Sequence, residues 1–262
     1  MPCETPITIR NPNKYVFWKR SYKIPCGKCP SCLRRKRAEW SLRIYHEFLD
    51  SESSWFITLT YDDFHLPDSG VNKPDVQNFF KRLRKNEKVR YFLVSEYGDT
   101  HHRPHYHACL FFKRKVDLTE CVNLVDKSWQ NGNVYVGECN LATINYCSKY
   151  SLKPRYDVDD SPYGNKTFAL SSRNPGIGAG FRSNRKQMFY HKEDLDFTDN
   201  IEGLTYNLPR YYRDAWFTTK EKQQHIKQIQ EKYGKEPDFK KCWQSASDYY
   251  GRKHSEAKSY KH

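Results

Sequence analysis

The stretch from Arg90 to Phe112 constrains this chain more than any other. Two runs rich in aromatic and aliphatic residues flank a polar turn, so it reads as two β-strands, each apolar enough to be half or wholly buried. In an extended chain alternate side chains share a face. His105 and His107 therefore project to one side, and Tyr106 and Ala108 to the other. Two imidazoles on one face can grip a divalent metal. If the strands pair as a hairpin, Glu96, late in the first strand, reaches the same spot. Two nitrogens and a carboxylate leave coordination positions free, which suits an ion that polarises a substrate oxygen. The plain alternative is a pair of surface histidines on an edge strand.

With 262 residues the chain is long enough for one good-sized domain with appendages. Its formal net charge of +14, with 16% aromatic residues, favours a polyanionic partner whose bases stack on aromatic side chains. No long apolar run is present and the mean hydropathy is -0.97, which argues against a membrane. The start, Met1 to Pro6, lacks the basic and apolar regions of a signal peptide, so a cytosolic protein is expected. Nine cysteines, an odd number, without a secretory signal point to free thiols or metal ligands rather than a disulfide framework.

Cys26, Cys29 and Cys32 are each separated by two residues, a spacing that lets thiolates converge on one ion. Zn²⁺ normally takes four ligands, and Cys3 is the obvious fourth. A site closed by four protein ligands is structural. From Ser31 onward Leu33, Trp40, Ile44 and Phe48 lie near a helical repeat with Arg34, Arg35, Lys36 and Arg37 among them. This predicts a basic amphipathic helix ending near Asp50. Trp55 to Tyr61 is a buried strand, Pro74 opens a helix with Val76, Phe79, Phe80 and Leu83 on its apolar face, and a further helix covers about Leu118 to Trp129. Asn131-Gly132-Asn133 breaks that helix. Val134 to Gly137 is a strand, and a last helix begins after Asn140.

Strand, helix, strand, strand, helix, strand, helix is the order of two split βαβ halves. It predicts an α+β fold, a ferredoxin-like (RRM-like) antiparallel sheet with helices on one face. The first and third strands are then central neighbours, with Thr58 and Thr60 beside the histidines. An N-terminal Cys-rich segment and a C-terminal extension flank this core. The expected divisions are 1–50 (Cys cluster and basic helix), 51–155 (the core), 156–243 (an extension packed on it) and 244–262 (a disordered tail).

On the last helix Tyr146 and Tyr150 are four residues apart, so both hydroxyls lie on one face, and Lys149 and Lys153 repeat the spacing one step round. Tyrosines at that spacing, taken alone, are packing. Beside a metal site they acquire chemistry. A phenol with a pKa of about 10 needs help to attack at neutral pH. A neighbouring ammonium favours the phenolate and stabilises charge on a pentavalent phosphorus. The expected product is a 5′-phosphotyrosyl linkage with a free 3′-OH, whose retained bond energy makes rejoining independent of ATP. Consistently, no P-loop motif occurs.

Together these residues resemble a known family. Phe56 to Thr60 is similar to the first motif of the HUH endonuclease superfamily, Pro104-His105-Tyr106-His107 to its His-hydrophobic-His motif, and Tyr146 to Tyr150 to its Tyr-X-X-Lys-Tyr motif. More narrowly the chain resembles the replication initiators of gokushoviruses, single-stranded DNA phages of the microvirus family. That match takes in Pro25 to Cys29, Thr58 to Asp63, Arg173 to Gly178 and Leu208 to Tyr212. The resemblance implies a rolling-circle initiator in the host bacterial cytoplasm, acting on single-stranded and replicative-form phage origin DNA with host helicase and polymerase as partners. It implies Tyr146 and Tyr150 as nucleophiles, one for each cleavage, with Lys149 and Lys153 as electrostatic helpers. His105, His107 and Glu96 become ligands of Mg²⁺ or Mn²⁺. Tyr106 is a bulky variant of the usual apolar position. A relaxase or transposase of the same superfamily is the close alternative. A non-catalytic zinc-containing nucleic-acid-binding protein is the other, and it leaves the histidines and the Tyr-Lys helix unexplained.

Overall fold

The computed structural model describes residues 3–10, 21–98, 101–150 and 163–233. Lys153, the segment up to 162 and the expected tail 244–262 lie outside them. The chain divides into two compact units, Lys36–Trp216 and a smaller one made of Met1–Arg35 with Phe217–His262.

The smaller unit contains the antiparallel pair β1 (Ile7–Arg10) and β2 (Ser21–Ile24), the start of α1 (Pro30–Leu49) and α8 (Thr219–Tyr233). The first turn of α1 is capped from a distance. Glu4 Oε1 accepts the Ser31 backbone N–H at 3.1 Å and its hydroxyl at 2.6 Å, supplying an acceptor for a donor that the helix itself leaves unpaired.

The larger unit is built on β3 (Ser53–Thr60), α2 (Lys73–Asn86), β4 (Val89–Tyr97), β5 (Pro104–Phe112), α3 (Leu118–Trp129), β6 (Val134–Glu138), α4 (Leu141–Tyr150) and β7 (Ala169–Ser171). Its sheet has the order β6-β3-β5-β4-β7, with every neighbouring pair antiparallel. The first four strands carry the ferredoxin-like order. β7 adds a fifth at the edge beside β4.

Local chemistry explains the helices. Pro74 sits in the first turn of α2, where its missing N–H costs nothing, and Val76, Phe79, Phe80 and Leu83 are buried. Asp117 caps α3 by accepting the Glu120 N–H at 2.8 Å. These two helices pack on the sheet face formed by Ile57, Leu59, Leu93, Tyr106, Ala108 and Leu110. The opposite face is covered as well, which the expectation of helices on one face did not include. Phe92, Val94, Cys109 and Phe111 stay apolar on that side, and Ile44 of α1 with Ile144 and Cys147 of α4 bury them. A central strand that is apolar on both faces needs a layer on each.

The turn after α3 is tight. Gly132 has φ +143°, and a Cβ there would stand 2.3 Å from Asp62 N and 2.5 Å from Thr60 O. Both neighbours are backbone, tied by Trp129 Nε1 donating to Thr60 O at 2.9 Å and Asp62 N donating to Asn131 O at 3.1 Å. Gly132→Ala is expected to cost about 2–4 kcal/mol of stability by urea unfolding. A loss within about 0.5 kcal/mol, the range of ordinary surface changes, would show that the turn gives way.

Beyond β7 the larger unit continues through α5 (Ala179–Ser183), α6 (Arg185–Glu193), the hairpin of β8 (Thr198–Ile201) and β9 (Leu204–Asn207), and α7 (Arg210–Trp216). The glycine-rich segment Arg173 to Gly178 is an internal strap. Arg43 donates to Ile177 O at 3.1 and 3.0 Å, Arg90 donates to Pro175 O and Gly176 O at 3.0 Å each, and Gly178 N donates to Glu47 Oε2 at 2.7 Å. Glu47 is 3% exposed and pairs with Arg90 through both carboxylate oxygens. That is the bidentate, fully hydrogen-bonded geometry in which a buried ion pair is tolerated.

Candidate active site and cysteine cluster

β5 lies between β3 and β4, with His105 opposite Thr60 on one side and Glu96 on the other, and His107 opposite Thr58 and Val94. The two imidazoles share one face, parallel to within 1°, with centroids 6.3 Å apart. Each ring is oriented through its Nδ1. For His105 that nitrogen is 2.6 Å from the Arg103 carbonyl oxygen. A carbonyl only accepts, so Nδ1 is the donor, and Nε2 is the nitrogen left to face a ligand. For His107, Nδ1 is 3.0 Å from Thr58 Oγ1, and Phe56 stacks on the ring at 5.8 Å. Burial, with His105 adding to it, pushes the His107 imidazole down to about 4, so the ring is neutral at physiological pH.

Glu96 is 6% exposed, and its Oε2 lies 3.5 Å from His107 Nε2. Tyr146 of α4 completes the group. Its hydroxyl donates to Glu96 Oε2 at 2.9 Å and lies 3.5 Å from His107 Nε2, with its ring edge-on to His107 at 5.0 Å. α4 is held at this rotation by the buried contacts of Ile144 and Cys147. A polar staple adds to them. Ser41 Oγ donates to Asn145 Oδ1 at 2.9 Å and lies 2.7 Å from Ser148 Oγ, with both serines buried.

The structure thus brings His107, Glu96 and Tyr146 into direct contact, with His105 beside them. Lys149 is exposed one turn further along α4, Tyr150 is the last residue of that helix, and Lys153 lies outside the described residues. Sequence reasoning missed the Arg103 carbonyl that orients His105 and the Ser41–Asn145–Ser148 staple. No local signal marks either one, since one is a backbone atom and the other joins residues more than 100 positions apart. Two imidazoles and a carboxylate are donor types that suit a divalent ion, although their donor atoms are not drawn together as closely as the cysteine sulfurs described below.

In the smaller unit Cys3, Cys26, Cys29 and Cys32 have sulfurs that all lie within 4.8 Å of one another, the one such group among the described residues. Cys3 Sγ and Cys29 Sγ are 3.7 Å apart. Four thiolates at Zn–S distances of about 2.3 Å in a tetrahedron stand about 3.8 Å apart, so the spacing fits. Cys26 Sγ accepts from Thr5 Oγ1 at 3.3 Å, Lys28 N at 3.3 Å and Cys29 N at 3.2 Å. These hydrogen bonds, with Thr5 the largest contributor, bring its thiol down to about 5. The cluster can hold a metal ion such as zinc.

The sheet thus presents paired histidines, a buried carboxylate and a helix-borne tyrosine on one face. Residues 54–155 match the family model described as Replication-associated protein ORF2/G2P. The chain is similar to Replication-associated protein ORF2 of Spiroplasma virus 4, at 27% identity over 87% of this chain and 80% of that one. It is also similar to Replication-associated protein VP4 of Bdellovibrio phage phiMH2K, at 29% identity over 75% and 68%. A third relative, Replication-associated protein ORF4 of Chlamydia phage 1, is 24% identical over 74% of this chain and 53% of its own length. All three relatives are named as replication-associated proteins. Among solved structures, the hypothetical protein ORF119 of Sulfolobus islandicus rod-shaped virus 1 is 22% identical over 46% of this chain and 97% of that one. Its TM-score is 0.28, too low to guide a functional argument.

Proposed function

We propose that this protein initiates rolling-circle replication of a single-stranded DNA phage by nicking the origin through a covalent tyrosine intermediate. The observation that carries the reading is the contact of the Tyr146 hydroxyl with Glu96 Oε2 and His107 Nε2 on one sheet face. The Tyr146 oxygen attacks the scissile phosphorus, its proton passing first to Glu96 Oε2, the nearest acceptor. The P–O3′ bond breaks, leaving a 5′-phosphotyrosyl linkage and a free 3′-OH. His105, His107 and Glu96 are the residues that would hold Mg²⁺ or Mn²⁺, which when bound would supply a Lewis acid for the phosphate. Lys149 stabilises the developing charge, and Tyr150 and Lys153 serve the second cleavage that releases a unit-length circle.

The four cysteines hold a structural Zn²⁺. Origin DNA, single-stranded and replicative-form, is the substrate, and host helicase and polymerase are the partners, in the host cytoplasm. No helix among the described residues is long and apolar enough to cross a membrane.

The test is incubation of the protein with labelled single-stranded origin DNA in Mn²⁺ or EDTA, followed by a denaturing gel. A Mn²⁺-dependent band of protein-linked DNA is expected. Binding without any adduct would leave the non-catalytic zinc-containing module as the better reading. The ion site has its own test. A Cβ at Gly98 would stand 3.0 Å from His105 Cε1 and 3.3 Å from Nδ1, turning the ring away from the Arg103 carbonyl. Gly98→Ala is expected to weaken Mn²⁺ binding about 10-fold by calorimetry, as loss of an outer-shell partner does. Unchanged affinity would show that His105 is not a ligand.

A further inference from the structure

The loop after β3 carries an aromatic ring that the mechanism does not use. Phe64 is 91% exposed, more than any other large apolar residue described. A single surface phenylalanine on a slack loop is unremarkable, but this loop is braced. His65 donates its backbone N–H to Asp62 Oδ1 at 2.8 Å, and its Nδ1 lies 2.8 and 2.9 Å from the two Asp62 oxygens. Arg103 donates to Tyr61 O at 3.3 and 3.0 Å and to Asp63 Oδ1 at 2.6 Å. Asp62 N donates to Asn131 O at 3.1 Å. The two carboxylates that precede Phe64 are each engaged at the surface, Asp62 by His65 and Asp63 by Arg103.

The bracing also fixes where the ring stands. Arg103 is two residues from His105, and Thr60, opposite His105 in the sheet, is four residues before Phe64. Four residues span at most about 14 Å, so the ring stands at the same end of the sheet as the site. Among the described residues its ring meets His65 edge-to-face, at 5.1 Å and 85°, and the side chain is left largely in water.

We propose that Phe64 is a stacking platform for an unpaired base of the strand being cut, close to the scissile phosphate; this rests on the nicking function proposed above. A flat apolar face held in advance loses little freedom on binding, and every base has a π-face to offer it. A net charge of +14 makes a nucleic acid the complementary occupant. A base-paired strand has no free base face to give, so the platform discriminates single strands from duplexes.

The experiment pairs two readouts. Affinity for labelled oligothymidine, and for the same sequence in a duplex, is measured by fluorescence anisotropy for wild type, Phe64→Ala and Phe64→Trp. Covalent adduct formation is measured in parallel with oligonucleotides tiling the genome that encodes this chain. Phe64→Ala is expected to bind the single strand about 5- to 150-fold more weakly, the loss of one base–aromatic stack, with duplex affinity unchanged. Phe64→Trp restores binding, and its fluorescence is quenched by the single strand. Unchanged single-strand affinity in Phe64→Ala, or an equal loss for the duplex, overturns the platform whether or not wild type forms the adduct. A single-strand-specific loss with no wild-type adduct at any tiling position upholds the platform and overturns the nicking function.

Discussion

Tyr146→Phe is expected to lower covalent attachment to origin DNA by about 10⁴-fold or more, the scale on which loss of a nucleophile is felt. DNA affinity should be unchanged. The substitution removes one oxygen and leaves the ring that packs edge-on against Phe56 and His107. It also deprives the buried Glu96 carboxylate of its hydrogen bond from the Tyr146 hydroxyl, at a cost of about 1–3 kcal/mol. Thermal unfolding of the variant should accompany the gel, so that lost chemistry is told apart from lost protein. Tyr150→Phe separates the two tyrosines. If Tyr146 makes the first cut, Tyr150→Phe still forms the adduct and fails only at release of the closed circle. Full adduct yield from Tyr146→Phe would remove this tyrosine from the mechanism.

Loss of the cysteine-bound ion is expected to have the largest effect on stability. Structural Zn²⁺ binding is worth about 10–16 kcal/mol in small zinc modules at neutral pH. Among the described residues of the unit that carries the cluster, Ile7, Ile9 and Ile24 of its two strands are exposed. Purified protein should contain one equivalent of zinc by elemental analysis. Cys26→Ser should lose it, and amide exchange across residues 3–10 and 21–35 should rise to the unfolded rate. A zinc-free preparation whose amides there stay protected would rule out the structural ion.

Much of the site was legible because its residues are local partners. A two-residue spacing in an extended chain puts His105 and His107 on one face whatever the rest of the fold does. Glu96 joins them because a hairpin closed by a short turn returns the chain alongside itself, directly opposite His105. The limits of α3 were readable for the same reason. Asp117, the periodic Val122, Val125 and Trp129, and the Asn131-Gly132-Asn133 break all act within a few residues.

What escaped the sequence depends on contacts between distant segments. That both sheet faces are covered follows from Ile44 and Ile144 meeting Cys109 and Phe111, and nothing in a single helix says which face of a sheet it will choose. The polar groups of the Arg173 to Gly178 segment face Arg43, Glu47 and Arg90, between 85 and 134 residues away.

The sequence by itself determined the donor set, the order of the elements and the helical spacing of the tyrosines, because alternation and helical period are properties of the local backbone. Only the tertiary structure decided that Tyr146 meets Glu96 and His107, and that Phe64 is left in water. A helix turns its side chains through 100° per residue, so a phase set by distant packing, through Ser41 and Cys109, selects which residue faces the histidines.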